Sequence, residues 1–388
     1  MRRAQAPRRA DTRNESLMSL TGTPFFLTTI ALVVVALVLP LTLWSRTRGP
    51  RLVRLVVRLC MLLFAQATAL AMVFVIVNNS NGLFDTWDDL LGTGDHVRAA
   101  VDLGPDGTGG KNADAEPKVV QKFTPASDKR MGPGVQETRL KGRISGVEGE
   151  VYVWLPPQYD DPAYKDRKFP VVEVLPGFPG SAKAWFGTLE VNTQLKPMME
   201  KGEVAPFIVV APRTTLLGDV DTGCANIPGK VNADTWLSVD VRKMVTDTFR
   251  AEEKADGWAV AGYSAGAHCA AKLAVSHPDR YRAGVSLSGY NDPVGEPASL
   301  TAKTPELRRE HNPLTILEHA KTPPRTALFV SGAEGDGYQG GLALKQAAKP
   351  PTTVQVQMIP AGAGGHGTAV WKRQVPDVFR WLTRQVRG

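Results

Sequence analysis

Two stretches of the chain are uncharged from end to end: Phe25 to Trp44, twenty residues, and Leu59 to Val77, nineteen residues, in which Gln66 is the most polar member. As helices rising about 1.5 Å per residue, each reaches roughly 30 Å, the thickness of a bilayer's hydrocarbon core. Helices buried in soluble cores rarely stay apolar for that length. The first stretch is too long for the apolar part of a signal peptide, and arginines follow it instead of a small-residue cleavage site. Pro40 is compatible with a membrane helix. The pattern predicts a tail over 1–24 and two transmembrane helices within 25–77.

Beyond them the periodicity lapses. Asn78 to Leu91 holds Phe84, Trp87 and Leu90, suited to a short amphipathic helix at a membrane interface. Gly104 to Pro133 is rich in Gly, Pro, Asp and Lys without an apolar period, so 78–134 reads as a juxtamembrane segment and flexible tether. Over 135–388, short apolar runs alternate with helical spacing. Val151 to Leu155, Val171 to Leu175, Phe207 to Val210, Trp258 to Ala261, Gly284 to Leu287, Ala327 to Val330 and Val354 to Ile359 read as strands. Trp236 to Phe249, Ala265 to Ser276 and Val370 to Val386 read as helices. The alternation predicts an α/β domain with a mostly parallel sheet flanked by helices, its active site at the carboxyl ends of the strands.

The 388 residues are 43% hydrophobic and 22% charged, a globular balance that excludes a wholly disordered chain. Three cysteines are too few for a disulfide-built scaffold or a multi-cysteine zinc module. The net charge of +8 is local: residues 1–58 hold ten arginines and two acids, and the remainder balances at thirty-six basic and thirty-six acidic residues. The large C-terminal part has no charge excess to drive nucleic-acid binding. Arg46, Arg48, Arg51, Arg54 and Arg58 are expected to hold the loop between the spans in the cytoplasm, which puts the C-terminal part outside. Arg2, Arg3, Arg8, Arg9 and Arg13 pull the tail the other way. A translation start at Met18 would remove that conflict, and N-terminal sequencing of the native protein tests it.

The chemistry lies at the expected strand ends. Gly262-Tyr263-Ser264-Ala265-Gly266 fits G-x-S-x-G between a strand and a helix, the context in which that motif marks a nucleophile. A serine hydroxyl needs an imidazole to take its proton and a carboxylate to orient the imidazole, in the chain order serine, acid, histidine. Of six histidines, His96 is juxtamembrane, His268 lies one turn past Ser264, His277 is at a helix end, and His311 and His319 sit in a polar helical insert. His366 sits in a glycine-rich loop between the last strand and the last helix and is the expected base. The preceding strand runs into Ser331-Gly332-Ala333-Glu334-Gly335-Asp336. Both Glu334 and Asp336 are in reach, and the distance from the strand end and the flanking glycines favour Asp336. The expected oxyanion donors are the amides of Ala265 and of Phe178, in the loop Leu175-Pro176-Gly177-Phe178-Pro179-Gly180-Ser181.

The segments LPGFPG (Leu175 to Gly180), DTWLSVDV (Asp234 to Val241), AGYSAGA (Ala261 to Ala267) and AGGHGTAVWKRQVPDVFRWL (Ala363 to Leu382) resemble the putative-esterase family of α/β-hydrolases. That family includes esterase D-type enzymes, ferric-enterobactin esterases and the secreted mycolyltransferases of the antigen 85 group. The similarity covers roughly 140–388, and the two-span anchor resembles membrane-bound actinobacterial esterase-like proteins. The resemblance implies an α/β-hydrolase fold and acyl-ester chemistry without a cofactor, through Ser264, Asp336 or Glu334, and His366. Two positions depart from it. Mycolyltransferases acting on trehalose have an acidic residue where this chain has Pro176 and a tryptophan where it has Thr368. Both departures weaken a trehalose-mycolate assignment and leave the ester chemistry untouched.

Cys224 and Cys269 pair only if their α-carbons come within reach; an unpaired Cys269 buried in the helix is the expectation, and Cys60 lies in a span. No spacing suggests a metal site. Trp185, Trp236 and Tyr263 are candidates for an acyl pocket or for core packing. The expected function is a membrane-anchored, extracytoplasmic serine esterase whose partners are an acyl ester of lipid or cell envelope and the bilayer, not nucleic acid. The alternatives are an acyltransferase of mycolyltransferase type, passing the acyl group to a sugar or lipid hydroxyl, and a non-catalytic envelope binding protein on a hydrolase fold.

Overall fold

The computed structural model describes residues 19–111 and 115–387; the tail arginines and Met18 lie outside them. The chain divides into two compact units, Met1–Leu90 and Leu91–Gly388. In the first, α1 (Thr23–Leu43) and α2 (Arg51–Asn81) are helices long and apolar enough to cross a membrane. The second starts eight residues earlier than its uncharged stretch, so Arg51, Arg54 and Arg58 lie on its first turns rather than in a loop. Their spacing of three and four residues gathers them on one helix face. Arg58 sits 4.8 Å from the Trp44 ring centroid and donates to the Trp44 carbonyl at 3.1 Å. The short helix expected before residue 91 is Trp87–Leu91.

The main sheet of the second unit has, among the described residues, nine strands: β1 (Thr124–Pro125), β2 (Val135–Lys141), β3 (Glu148–Trp154), β4 (Val171–Leu175), β5 (Ile208–Pro212), β6 (Trp258–Tyr263), β7 (Ala283–Leu287), β8 (Ala327–Gly332) and β9 (Thr353–Met358). Their order across the sheet is β1-β2-β3-β5-β4-β6-β7-β8-β9. The first three strands run antiparallel to their neighbours, and every pairing from β5 to β9 is parallel. Helices α3 (Val191–Glu200) and α7 (Thr368–Gln385) pack on one face, and α4 (Arg242–Thr248), α5 (Ala265–Ser276) and α6 (Tyr338–Ala347) on the other. In β4, Val172 and Val174 feed the first core while Val171 and Leu175 feed the second, as alternation requires of a strand covered on both sides.

Strand β4 and helix α5 span the residues that the apolar pattern marks, and the other anticipated strands differ only at their ends. β2 is an addition. It has few apolar residues (Val135 and Leu140) and is held by its ladder and by Arg139, which pairs with Glu148 and Glu150 at 2.7 Å each. The helix anticipated over 236–249 is instead Ala233–Thr235, a π-helical Trp236–Val241 and then α4. Part of the expected tether is packed: Leu103, Ala126 and Met131 are buried, and the N–H groups of Val119 and Gln121 bond Asp247 at 2.7 Å and Thr248 at 3.1 Å. Cys224 and Cys269 form a disulfide with α-carbons 5.7 Å apart, which corrects the expectation of an unpaired Cys269. The loop before Asp234 folds back on α5, where Lys272 holds Asp234 at 3.0 Å and donates to the Cys224 carbonyl.

The parallel strands deliver their carboxyl ends to one edge. Leu175 of β4 pairs with Gly262 of β6, Tyr263 with Leu287 of β7, and Leu287 with Ser331 of β8. The loops that leave this edge carry the candidate chemistry.

Candidate active site

Ser264 occupies the turn from β6 into α5 at φ 56°, ψ −125°, a positive-φ conformation that costs a residue with a side chain about 1–3 kcal/mol. The positions two residues to either side must be glycine. A Cβ on Gly262 would stand 2.0 Å from the Gly266 carbonyl oxygen, and one on Gly266 would stand 2.3 Å from that of Pro176. The Ser264 N–H is tied to the Leu287 carbonyl at 3.0 Å.

Three separate loops bring Ser264, His366 and Asp336 together. His366 Nε2 lies 2.9 Å from Ser264 Oγ, and its Nδ1 lies 2.8 Å from Asp336 Oδ1. An ionised carboxylate only accepts, so Nδ1–H donates to Asp336 and Nε2 is left to accept from the serine. Asp336 is fixed by a tight turn: its N–H donates to the Ala333 carbonyl at 2.9 Å, and a Cβ on Gly332 would come within 1.9 Å of the Asp336 carbonyl oxygen. Glu334, the other candidate, is exposed, and the imidazole's carboxylate contact is with Asp336. The His366 side chain is 47% exposed, so water reaches it.

The imidazole also packs T-shaped against Trp371, with ring centroids 5.0 Å apart at 90°. Trp371 stacks on Tyr263 at 4.4 Å and donates its indole N–H to Ser288 Oγ at 3.1 Å. Trp371 was not a candidate from sequence, although an aromatic one turn into the helix after His366 was a legible signal. Gly177 lies against Ser264: a Cβ there would be 3.0 Å from Ser264 Cβ. Phe178 follows it. The Ala265 N–H, first in α5, has no carbonyl ahead of it in the helix. Thr215 Oγ1 donates to the Gly180 carbonyl at 3.1 Å and braces the far end of that loop.

The other histidines lie outside the relay. His268 is buried, stacks on Tyr290 with centroids 4.7 Å apart and bonds its carbonyl at 2.9 Å; burial pushes its pKa down to about 4, so it is neutral. His277 Nε2 meets Asp234 at 2.7 Å. Burial opposes ionisation of Asp234, but Lys272 and His277 outweigh it and hold the carboxyl well below the usual range. His96 Nδ1 lies 3.0 Å from the Glu148 carbonyl oxygen, and His319 bonds the Thr315 carbonyl at 2.9 Å. Trp185, Trp236 and Tyr263 are all buried in the cores, with Trp236 on the opposite face of the sheet from the other two.

A family model described as "Putative esterase" matches residues 144–381. An uncharacterised protein of Corynebacterium glutamicum is 23% identical over 286 residues, which are 68% of this chain and 65% of that protein. The match thus spans less than two thirds of the relative's length. A ferulic acid esterase is structurally similar at a TM-score of 0.55 with 19% identity, over 64% of this chain and 98% of its own. An S-formylglutathione hydrolase of Agrobacterium tumefaciens aligns at 0.52 with 15% identity, over 65% and 95%. A fluorophosphonate-binding serine hydrolase of Staphylococcus aureus aligns at 0.51 with 17% identity, over 65% and 99%. These likenesses are of fold.

Proposed function

The chain belongs to the "Putative esterase" family; from that premise we propose that it is a serine hydrolase, that Ser264, His366 and Asp336 are its catalytic triad and that it cleaves carboxylic esters. The observation that carries this reading is the unbroken hydrogen-bond chain Asp336–His366–Ser264, at 2.8 and 2.9 Å. Ser264 Oγ bonds to the ester carbonyl carbon as His366 Nε2 takes the hydroxyl proton. Asp336 keeps Nδ1–H oriented and stabilises the imidazolium. The amides of Phe178 and Ala265 receive the oxyanion. Collapse expels the alcohol, which takes the proton from Nε2 and leaves an acyl-serine. A water deprotonated by the same nitrogen then attacks the acyl carbon, and Ser264 departs with its proton restored. The half-exposed imidazole is open to water, as the hydrolytic step requires.

In this reading α1 and α2 anchor the enzyme in a membrane, with the arginines between and along them on the cytoplasmic side. The catalytic unit then faces the extracytoplasmic space and acts on acyl esters of lipids or of the envelope. The Cys224–Cys269 disulfide supports that side, because such bonds persist in oxidising compartments. The test compares the full chain in detergent with Ser264→Ala, using a short-chain p-nitrophenyl ester and a fluorophosphonate probe. The parent protein is expected to hydrolyse and label, and the variant to do neither; equal rates for the two refute the triad. Protease added to intact cells is expected to digest the catalytic unit, and complete protection overturns the outside assignment.

A further inference from the structure

Residues 92–99 form a strap between two parts of the second unit. On one side it meets the loop after β5. The His96 N–H donates to the Leu216 carbonyl at 3.4 Å, Asp95 bridges Leu217, and Gly218 abuts Gly92 so closely that a Cβ on Gly218 would lie 2.5 Å from the Gly92 carbonyl oxygen. On the other side it meets the entry to β3. Arg98 donates its N–H to the Gly146 carbonyl at 2.7 Å, Glu148 donates to the His96 carbonyl at 2.8 Å, and Val97 bridges Val147. The buried His96 ring is fixed there by the Glu148 carbonyl.

The loop on which the strap sits is the one that braces the oxyanion loop. Thr215 Oγ1 holds the Gly180 carbonyl, and Gly180 closes the turn begun by Gly177 against Ser264. A run of ion pairs follows the same route. Arg98 meets Glu148 at 3.4 Å, Arg139 joins Glu148 to Glu150 at 2.7 Å each, and Arg213, first in the loop, meets Glu150 at 2.5 Å. The Arg213 guanidinium donates to the Thr215 carbonyl at 3.3 Å.

We propose that the strap is a positioning element for catalysis: its seating on the Arg213–Gly218 loop sets, through Thr215, the turn that presents the Phe178 N–H to the oxyanion. This rests on the reading of Phe178 as a donor. An oxyanion donor acts only where charge develops, and a misplacement of about 1 Å costs on the order of a hundredfold in rate. The juxtamembrane segment is then part of the enzyme rather than a spacer, and its displacement lowers turnover without removing any group that touches substrate.

The test uses the full chain in detergent with a p-nitrophenyl ester. His96→Ala removes the ring that seats the strap, and His96→Asn keeps a donor near the Glu148 carbonyl. Gly218→Ala pushes a methyl group into the strap. Gly202→Ala is the control, because Gly202 shares the positive φ (+72° against +53° at Gly218) but has open space around it. His96→Ala and Gly218→Ala are expected to lower kcat roughly tenfold with KM within about twofold, the mark of an interaction made only in the transition state. His96→Asn is expected to recover most of the loss, and Gly202→Ala to keep the parent kcat. Parent kcat in both His96→Ala and Gly218→Ala overturns the proposal. So does a loss that His96→Asn fails to recover and that follows a melting shift larger than the control's. Full activity in Ser264→Ala would instead overturn the triad, whereas an inactive Ser264→Ala beside active strap variants overturns the strap alone.

Discussion

Around Ser264 an added methyl group would collide with backbone at 2.0 Å (on Gly262) or 2.3 Å (on Gly266), whereas at Gly362 and Gly365, in the loop that carries His366, it would meet nothing within 4 Å. Ser264 is held by crowding: strand β6, helix α5 and the Pro176 carbonyl leave one conformation for the turn. His366 is held by contacts instead, two hydrogen bonds and a T-shaped ring contact with Trp371, on a loop where Gly362 and Gly365 supply positive φ in open surroundings. Of these two residues only Ser264 is locked by crowding. The locked serine supplies the coordinate to which a more compliant imidazole is adjusted.

That contrast can be broken most severely at the locked side. Gly266→Ala forces the turn against the Pro176 and Leu175 carbonyls, so ester hydrolysis is expected to fall to background, read alongside a thermal melt. Asp336→Asn leaves the shape of the relay but loses the acceptor that fixes the imidazole tautomer, and kcat is expected to drop by about 10⁴. Beneath the locked turn, Asp234→Asn leaves the Lys272 ammonium buried without its counter-ion, an expected loss of about 3–5 kcal/mol of stability by denaturant unfolding. The folded Asp234 carboxyl titrates below its unfolded value near 4. Its contribution is thus complete above that pH and is lost as pH falls through the folded value, so the gap between parent and variant should hold from pH 5 to 8 and narrow in stronger acid. On the compliant side, Gly365→Ala meets no neighbour and is charged only for its positive φ, about 1 kcal/mol of stability. The smallest effect is expected for Glu334→Ala: an unchanged rate, within about twofold by the same assay, as for a surface carboxylate away from the relay.

Crowding also explains what was legible in the amino-acid sequence. A turn that excludes side chains announces itself as Gly262 and Gly266 beside a serine, and a strand buried on both faces announces itself as the apolar run of β4. The choice between Glu334 and Asp336 was open because both stand within one turn of a strand end, and only the fold of that turn selects between them. Trp371 is legible only as an aromatic near His366, because its role depends on the direction of α7 relative to that residue. β2 escaped notice because it is stabilised by its ladder and by Arg139 with its glutamates, and so lacks an apolar stripe. The strap and the Cys224–Cys269 pair depend on separations of roughly 45 residues or more, which local pattern does not encode.

The disulfide has one more consequence. Cys224 and Cys269 are 45 residues apart in sequence, and the covalent ring they close contains Ser264 but neither Asp336 nor His366. By chain-entropy reasoning such a closure disfavours opening of its own contents by about 4 kcal/mol. The outer strands β8 and β9 lie beyond the ring, with β9 at the sheet's edge. Thermal fraying from that edge would displace Asp336 and His366 first and leave Ser264 in its crowded turn; in the proposed triad such a molecule is dormant until the edge re-forms.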